Sequence, residues 1–169
     1  MVNDLVHGLD NPAVTEAALH LDPEKVTLAA AGVTTILAPG PTRVVRDFMP
    51  RWPPRPHDIE RAINDIEDAL MHARGKLGNT GAVASEDRVL LEIASVAGLG
   101  KTAKTLPRQA VEALFERLAA VALGRPNAQE RLPEDMHLAA SIVILREVMH
   151  HLDVPSIGLR HELASVHFF

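Results

Sequence analysis

From Ala139 to Leu145 the chain reads Ala-Ala-Ser-Ile-Val-Ile-Leu, inside a helical stretch that starts after Pro133. A helix that is apolar nearly all round keeps no face for water and has to be buried. The chain must therefore supply enough apolar elements to cover it. With 169 residues, 47% of them hydrophobic, a single domain spanning 1–169 can bury such a core. Composition also excludes several classes. There are no cysteines for disulfide or thiol chemistry, and the net charge of −5 gives no pull towards nucleic acid or anionic membranes. One Trp, four Phe and no Tyr leave little for base stacking. No apolar run is long enough to span a bilayer, and the start lacks a basic-then-apolar leader pattern. The expectation is a soluble cytoplasmic protein with neither a nucleic-acid nor a membrane partner.

Along the chain, residues 1–24 are weakly patterned, with a helix-compatible piece from Pro12 to Leu21. Lys25–Leu28 and Val33–Ala38 are rich in β-formers and read as a hairpin turning near Gly32. Pro39-Gly40-Pro41 ends the second strand, and Thr42–Phe48 fits either strand or helix. A proline-rich passage around Trp52 is an extended link. His57–Arg74 is an amphipathic helix, with Ile59, Ala62, Ile63, Ile66, Ala69, Leu70 and Ala73 on one face. Gly75–Ser85 reads as a loop and Val89–Ala94 as a strand. Pro107 opens another helix that Gly124 and Pro126 close. The buried helix occupies 134–152, with Glu134 and Asp135 in its first turn, and Ser156–Leu159 reads as a final strand before a tail, 164–169. The order is β-β-(β or α)-α-β-α-α-β, which predicts an α/β fold: a mixed sheet of four or five strands flanked by helices.

The chemical lead is Ala97-Gly98-Leu99-Gly100-Lys101-Thr102-Ala103-Lys104-Thr105. Between a strand and a helix, glycines let the backbone approach an anion and leave N–H groups aimed at it. Lys101 adds charge, and Thr102 and Thr105 add hydroxyls. Candidate ligand-binding residues are therefore Gly98, Gly100, Lys101, Thr102 and Thr105. A Walker A loop would need a small residue such as glycine where Ser95 stands, and no carboxylate for Mg²⁺ follows on a later strand.

Three stretches together resemble the second domain of the exopolyphosphatase and guanosine-pentaphosphate phosphatase (Ppx/GppA) family. Gly40-Pro41-Thr42-Arg43-Val44-Val45-Arg46-Asp47-Phe48 is similar to that family's Gly-x-x-Arg-Leu-x-x-x-Phe segment. Residues 97–105 are similar to its Gly-Thr-Gly-Gly-Thr-Ala-Thr-Thr turn. Helix 134–152 leading to Gly158-Leu159-Arg160 is similar to its closing helix and Gly-Leu-Arg motif. The resemblance covers residues 40–163 and implies a ribonuclease-H-like fold, the half-domain shared with actin-like ATPases. The family's Asp-x-Gly-Gly-Gly-Ser hairpin has no counterpart; Ala30-Ala31-Gly32-Val33-Thr34-Thr35 is the nearest run, and Gly8-Leu9-Asp10-Asn11 fits no better. The family's catalytic glutamate comes from a first domain that this sequence does not contain.

Further candidates are weighed against plainer roles. Thr34 and Thr35 offer hydroxyls to a second phosphate, or simply favour a strand. Arg43 and Arg46, with Arg51 and Arg55, offer charge to an anionic chain, or are ordinary exposed arginines. Glu60, Asp65, Glu67 and Asp68 read as a solvated helix face rather than as acid–base groups. His137 and His150 stand too far apart on one helix to share an ion, and His150 and His151 suit its last turn through the helix dipole. No metal site and no catalytic residue is assigned. Trp52 and Phe168-Phe169 are expected to pack on the protein's own core.

The resemblance implies a degenerate, non-catalytic Ppx/GppA-like domain that binds a phosphate-containing ligand or a partner chain. Polyphosphate and guanosine phosphates are the ligands implied, with Mg²⁺ accompanying them. Two alternatives remain open: an exopolyphosphatase-type half-site completed by a homodimer or partner subunit, and an interaction module without a small ligand.

Overall fold

The sheet begins one strand earlier than the hydrophobic pattern predicts. The computed structural model describes residues 16–161 apart from Asn79. Within them β1 (Ala17–Leu21) pairs antiparallel with β2 (Lys25–Ala30), which pairs antiparallel with β3 (Val33–Pro39). Residues 17–21 thus form a strand, not the end of a 12–21 helix. Alternation explains it: Ala17, Leu19 and Leu21 are buried while Ala18 and His20 are only half-buried, a period of two. The rest of that predicted piece, and Gly8–Asn11, lie outside the described residues.

After β3 the chain enters α1 (Pro41–Asp47), which settles the ambiguous 42–48 segment as helix. Gly40 precedes it under steric constraint. A Cβ there would fall 2.1 Å from the Asp22 carbonyl oxygen, 2.5 Å from that of Pro23 and 2.6 Å from the Lys25 nitrogen. The β1–β2 turn lies directly against the Gly40 backbone, and the Pro23 carbonyl accepts from the N–H groups of Thr42 (2.9 Å) and Arg43 (3.3 Å). Trp52 packs against the core, as expected, while Phe168 and Phe169 lie outside the described residues. Helix α2 (Pro56–Arg74) then runs as predicted, burying Ile59, Ala62, Ile66, Leu70 and Ala73.

The next stretch corrects two expectations. The predicted loop 75–85 contains a three-residue strand, β4 (Val83–Ser85), and the predicted strand 89–94 lies within a helix, α3 (Arg88–Val96). Leu90, Ile93 and Ala94 are the buried residues of α3, at spacings of three and one. A short apolar run does not reveal its period alone, and here the helical spacing wins. There follow β5 (Thr105–Pro107), α4 (Arg108–Ala122), a short α5 (Asn127–Glu130), α6 (Met136–His151) and β6 (Ser156–Leu159). Asp135 sits just before α6 as its cap, its carboxylate accepting from the N–H groups of His137 and Leu138, rather than inside its first turn.

The strands form one six-stranded mixed sheet in the order β3-β2-β1-β4-β6-β5. β4 runs parallel to both β1 and β6, and β5 closes the edge antiparallel to β6. Register aligns one apolar face: Leu21 lies opposite Val26, Leu19 opposite Leu28, and Ala17, Val83, Ile157 and Leu106 form a row. The opposite face carries a row of small residues, Ala29, Ala18, Ala84 and Gly158, with Arg160 folded back over it to pair with Glu16.

Helix α6 is the hub. It packs against α1, α2, α3 and α4, and eleven of its sixteen residues are buried, which fits the all-round apolar sequence. Its buried hydroxyl is satisfied, Ser141 Oγ donating to the His137 carbonyl at 2.7 Å. Gly40→Ala is expected to lower the unfolding free energy by about 2–3 kcal/mol, because the clashing atoms are all backbone. Urea denaturation checks this, and a loss within about 0.5 kcal/mol would mean that the β1–β2 turn yields freely.

Candidate functional site

In open α/β sheets ligands bind beyond the carboxyl ends of the parallel strands. Here that edge comprises Leu21 and the turn Asp22-Pro23-Glu24 after β1, Glu86-Asp87 after β4, and Arg160-His161 after β6. The strand–turn–helix unit of this chain is therefore β4–Glu86-Asp87–α3, not the glycine turn. Its carboxylates oppose an anion, and Asp87 is committed to holding the fold together. Asp87 Oδ2 accepts the Leu21 N–H at 2.6 Å, its Oδ1 lies 3.6 Å from His20 Nδ1, and its own N–H donates to Ser85 Oγ at 3.2 Å.

The glycine turn follows the carboxyl end of α3 and leads into β5. Gly98 (φ 83°) stops α3 by a Schellman arrangement: its N–H donates to the Ser95 carbonyl (3.0 Å) and that of Leu99 to the Ala94 carbonyl (3.0 Å). Gly100 (φ 82°) turns the chain a second time. Open space lies where a Cβ of either glycine would project. Among the described residues the N–H groups of Gly100, Lys101 and Thr102 donate to no other backbone group. Thr105 belongs to β5, in register with Gly158.

Beside this turn lies an open groove of about 570 Å³, lined by Arg88, Ser95, Glu92, Gly100, Lys101 and His161 among others. Neither Arg88 nor Lys101 has an acidic partner among the described residues. His161 Nε2 lies 3.3 Å from the Ala103 carbonyl. Arg88 and Ser95 were not among the sequence candidates. A helical reading of 88–96 is the signal that would have placed Arg88 and Ser95 beside Lys101.

The remaining candidates lie elsewhere. Thr34 and Thr35 stand on β3, the opposite edge strand from β5. Five strand spacings, roughly 24 Å, separate those edges, so the 30–35 hairpin and the 98–105 turn do not form one site. Arg46 is held by Glu24 (3.2 Å) and Asp47 (3.3 Å), and hydrogen bonding to Glu24 and then its charge raise the guanidinium pKa further. Arg43 sits 3.7 Å from Asp47 beside a second groove that Lys25, Lys76, Asp65 and Asp68 also line. Arg55 binds Asp58 at 3.0 Å, and that hydrogen bond holds the Asp58 carboxyl below its ordinary range. His137 Nε2 lies 3.0 Å from Thr42 Oγ1.

One cluster escaped the sequence reading. Glu147 on α6 is buried, its Oε1 accepts from Arg146 (2.9 Å), and its Oε2 lies 3.2 Å from His151 Nε2. Glu67 Oε1 on α2 approaches the same nitrogen at 3.4 Å. Burial raises the Glu147 pKa, against the pull of the neighbouring Arg146 charge. The signal was present in the i, i+4 spacing of Glu147 and His151, but Glu67 joins them only through the packing of α2 on α6.

No protein-family model and no curated protein sequence matches the chain. Solved structures do. The Ppx/GppA enzyme of Aquifex aeolicus superposes with a TM-score of 0.68 at 10% identity, covering 87% of this chain and 53% of that one. A type II variant of the Aquifex phosphatase gives 0.67 at 10% identity, covering 89% and 54%. An exopolyphosphatase-like protein gives 0.68 at 13% identity, covering 94% and 58%. This chain therefore has the Ppx/GppA-type fold, a mixed sheet with flanking helices of the actin-like ATPase kind, and spans about half the length of those proteins. Among the described residues no helix is long and apolar enough to cross a membrane.

Asp87→Ala would leave the Leu21 N–H without its carboxylate and is expected to cost about 1–3 kcal/mol of stability. Thermal unfolding reads this directly, and an unchanged midpoint would show that Asp87 does not clamp β1.

Proposed function

We propose that this chain is a non-catalytic Ppx/GppA-type domain that binds a phosphate-containing ligand, polyphosphate or a guanosine phosphate, in the groove between α3 and the 98–104 turn. The observation that carries the proposal is the meeting of two cations, Arg88 and Lys101, neither with an acidic partner among the described residues, with the Gly100–Lys101 backbone at one open groove. Lys101 meets the anion as a point charge and Arg88 through its planar fork. The N–H groups of Gly100, Lys101 and Thr102 donate to phosphate oxygens, and Ser95 and Thr102 add hydroxyls. Gly98 sets the turn, and Thr105 anchors its far end in β5.

The carboxyl end of α3 opposes an anion, by about 0.3–1 kcal/mol. Each charge-assisted hydrogen bond contributes about 1.5–3 kcal/mol, so two cations outweigh that penalty. Among the described residues Glu92 is the carboxylate that lines the groove, and one carboxylate makes a poor Mg²⁺ cage. Mg²⁺ therefore travels with the ligand's phosphates.

A second reading keeps the groove as half of an exopolyphosphatase-type site completed by a second copy or another subunit. It is favoured by an apolar groove of about 220 Å³ between α2 and α4, lined by Pro56, Ile59, Ile63 and Leu123, where Leu123 is 78% exposed. Polyphosphate hydrolysis by an assembly of more than one chain would select this reading.

Calorimetric titration with polyphosphate, guanosine tetraphosphate and ATP, each with Mg²⁺, tests the main proposal. Saturable heat is expected with at least one ligand, with affinity falling about tenfold or more in Lys101→Ala and in Arg88→Ala. No heat with any ligand, or unchanged affinity in both variants, would sink it.

A further inference from the structure

The groove does not use the Glu67–Glu147–His151 cluster, which brings two carboxylates and an imidazole together between α2 and α6. Here the His151 Nε2 contacts are 3.2 Å to Glu147 Oε2 and 3.4 Å to Glu67 Oε1. Those spacings are also the ones that ligands around one ion adopt. An ion held tetrahedrally at about 2.0–2.2 Å by nitrogen and oxygen ligands places neighbouring ligand atoms about 3.3–3.5 Å apart. One atom from each of the three side chains already lies within 4.8 Å of the other two.

We infer that Glu67, Glu147 and His151 form a binding site for a divalent transition ion of the zinc type, with an open fourth position for water. Glu147 and His151 occupy successive turns of α6 and act as a chelate from one helix face, while Glu67 reaches across from α2. Arg146 holds Glu147 Oε1 at 2.9 Å and leaves Oε2 turned towards the imidazole. Its guanidinium is itself fixed 4.1 Å over the Phe115 ring, so the buried ligand oxygen is pre-oriented before an ion arrives. Exposure sets the route. Glu147 is only 3% exposed, while His151 at 23% and Glu67 at 39% form the solvent side through which the ion enters. Two carboxylates and an imidazole beside a single guanidinium make a donor set that suits a cation. Such an ion would tie α2 to α6.

The test is titration of Zn²⁺ against a chromogenic chelator, together with the visible spectrum of the Co²⁺-loaded chain. One ion per chain is expected, with a Co²⁺ band that reports coordination and a raised thermal midpoint. Binding should weaken about tenfold or more in H151A, E147Q and E67Q. E147Q alters a buried group, but E67Q alters a half-exposed one that the fold tolerates, so misfolding of the former does not decide the outcome. Absence of saturable binding would overturn the inference. Zn²⁺ binding as tight in both E67Q and H151A as in the unaltered chain would also overturn it, by placing the ion on other histidines.

Discussion

Burial of α6 on all sides is the constraint from which the rest of the structure follows. Each large apolar side chain removed from water contributes about 1.5–3 kcal/mol, and α6 buries seven of them: Leu138, Ile142, Val143, Ile144, Leu145, Val148 and Met149. That gross sum, about 10–21 kcal/mol, rivals the whole net stability of a typical domain, about 5–15 kcal/mol, so an arrangement that exposes α6 does not compete. Helices α1, α2, α3 and α4 gather around it, and their positions decide where polar groups can meet. Both proposed sites depend on this packing. The groove lies beside α3, which α6 helps to hold, and the carboxylate–imidazole cluster lies where α2 crosses the end of α6.

A second constraint is the order of the sheet. Because β3 and β5 are opposite edges, the hairpin with Thr34 and Thr35 is kept away from the glycine turn. The carboxyl edge of the parallel strands, where a ligand is expected first, is occupied by the protein's own interactions. Pro23 caps the start of α1, Gly40 packs against the β1–β2 turn, and Asp87 fastens the end of β1. The proposed anion site lies instead at the loop after α3.

Long, strongly periodic elements were legible in the sequence. The 57–74 and 134–152 helices, the 25–38 hairpin and the final strand stand where their residues place them, because each contains enough repeats for its period to show. Short elements were not. Val83-Ala84-Ser85 is three residues long, and only pairing with β1 and β6 makes it a strand. Val89–Ala94 has the composition of a strand, yet Leu90, Ile93 and Ala94 face α6 and α4 with helical spacing. That exchange moved the glycine turn from the amino end of one helix to the carboxyl end of another, and so altered the chemistry of the lead candidate. The Gly40–Phe48 segment was noticed for its pattern, but the reason for Gly40, three backbone atoms in the space of a Cβ, belongs to tertiary structure alone. Glu67 could join Glu147 and His151 only once two helices had been packed.

The central claim is that anion recognition in this domain resides in the loop after α3. Amide chemical-shift mapping during a pyrophosphate titration of the full chain with Mg²⁺ tests it most directly. The account predicts saturable shifts centred on Gly100, Lys101 and Thr102, extending to Arg88 and Ser95, with the 31–35 hairpin and the Asp22–Glu24 turn undisturbed. Shifts centred on either of those turns or on Ser85–Asp87, or none at saturating ligand, would contradict it.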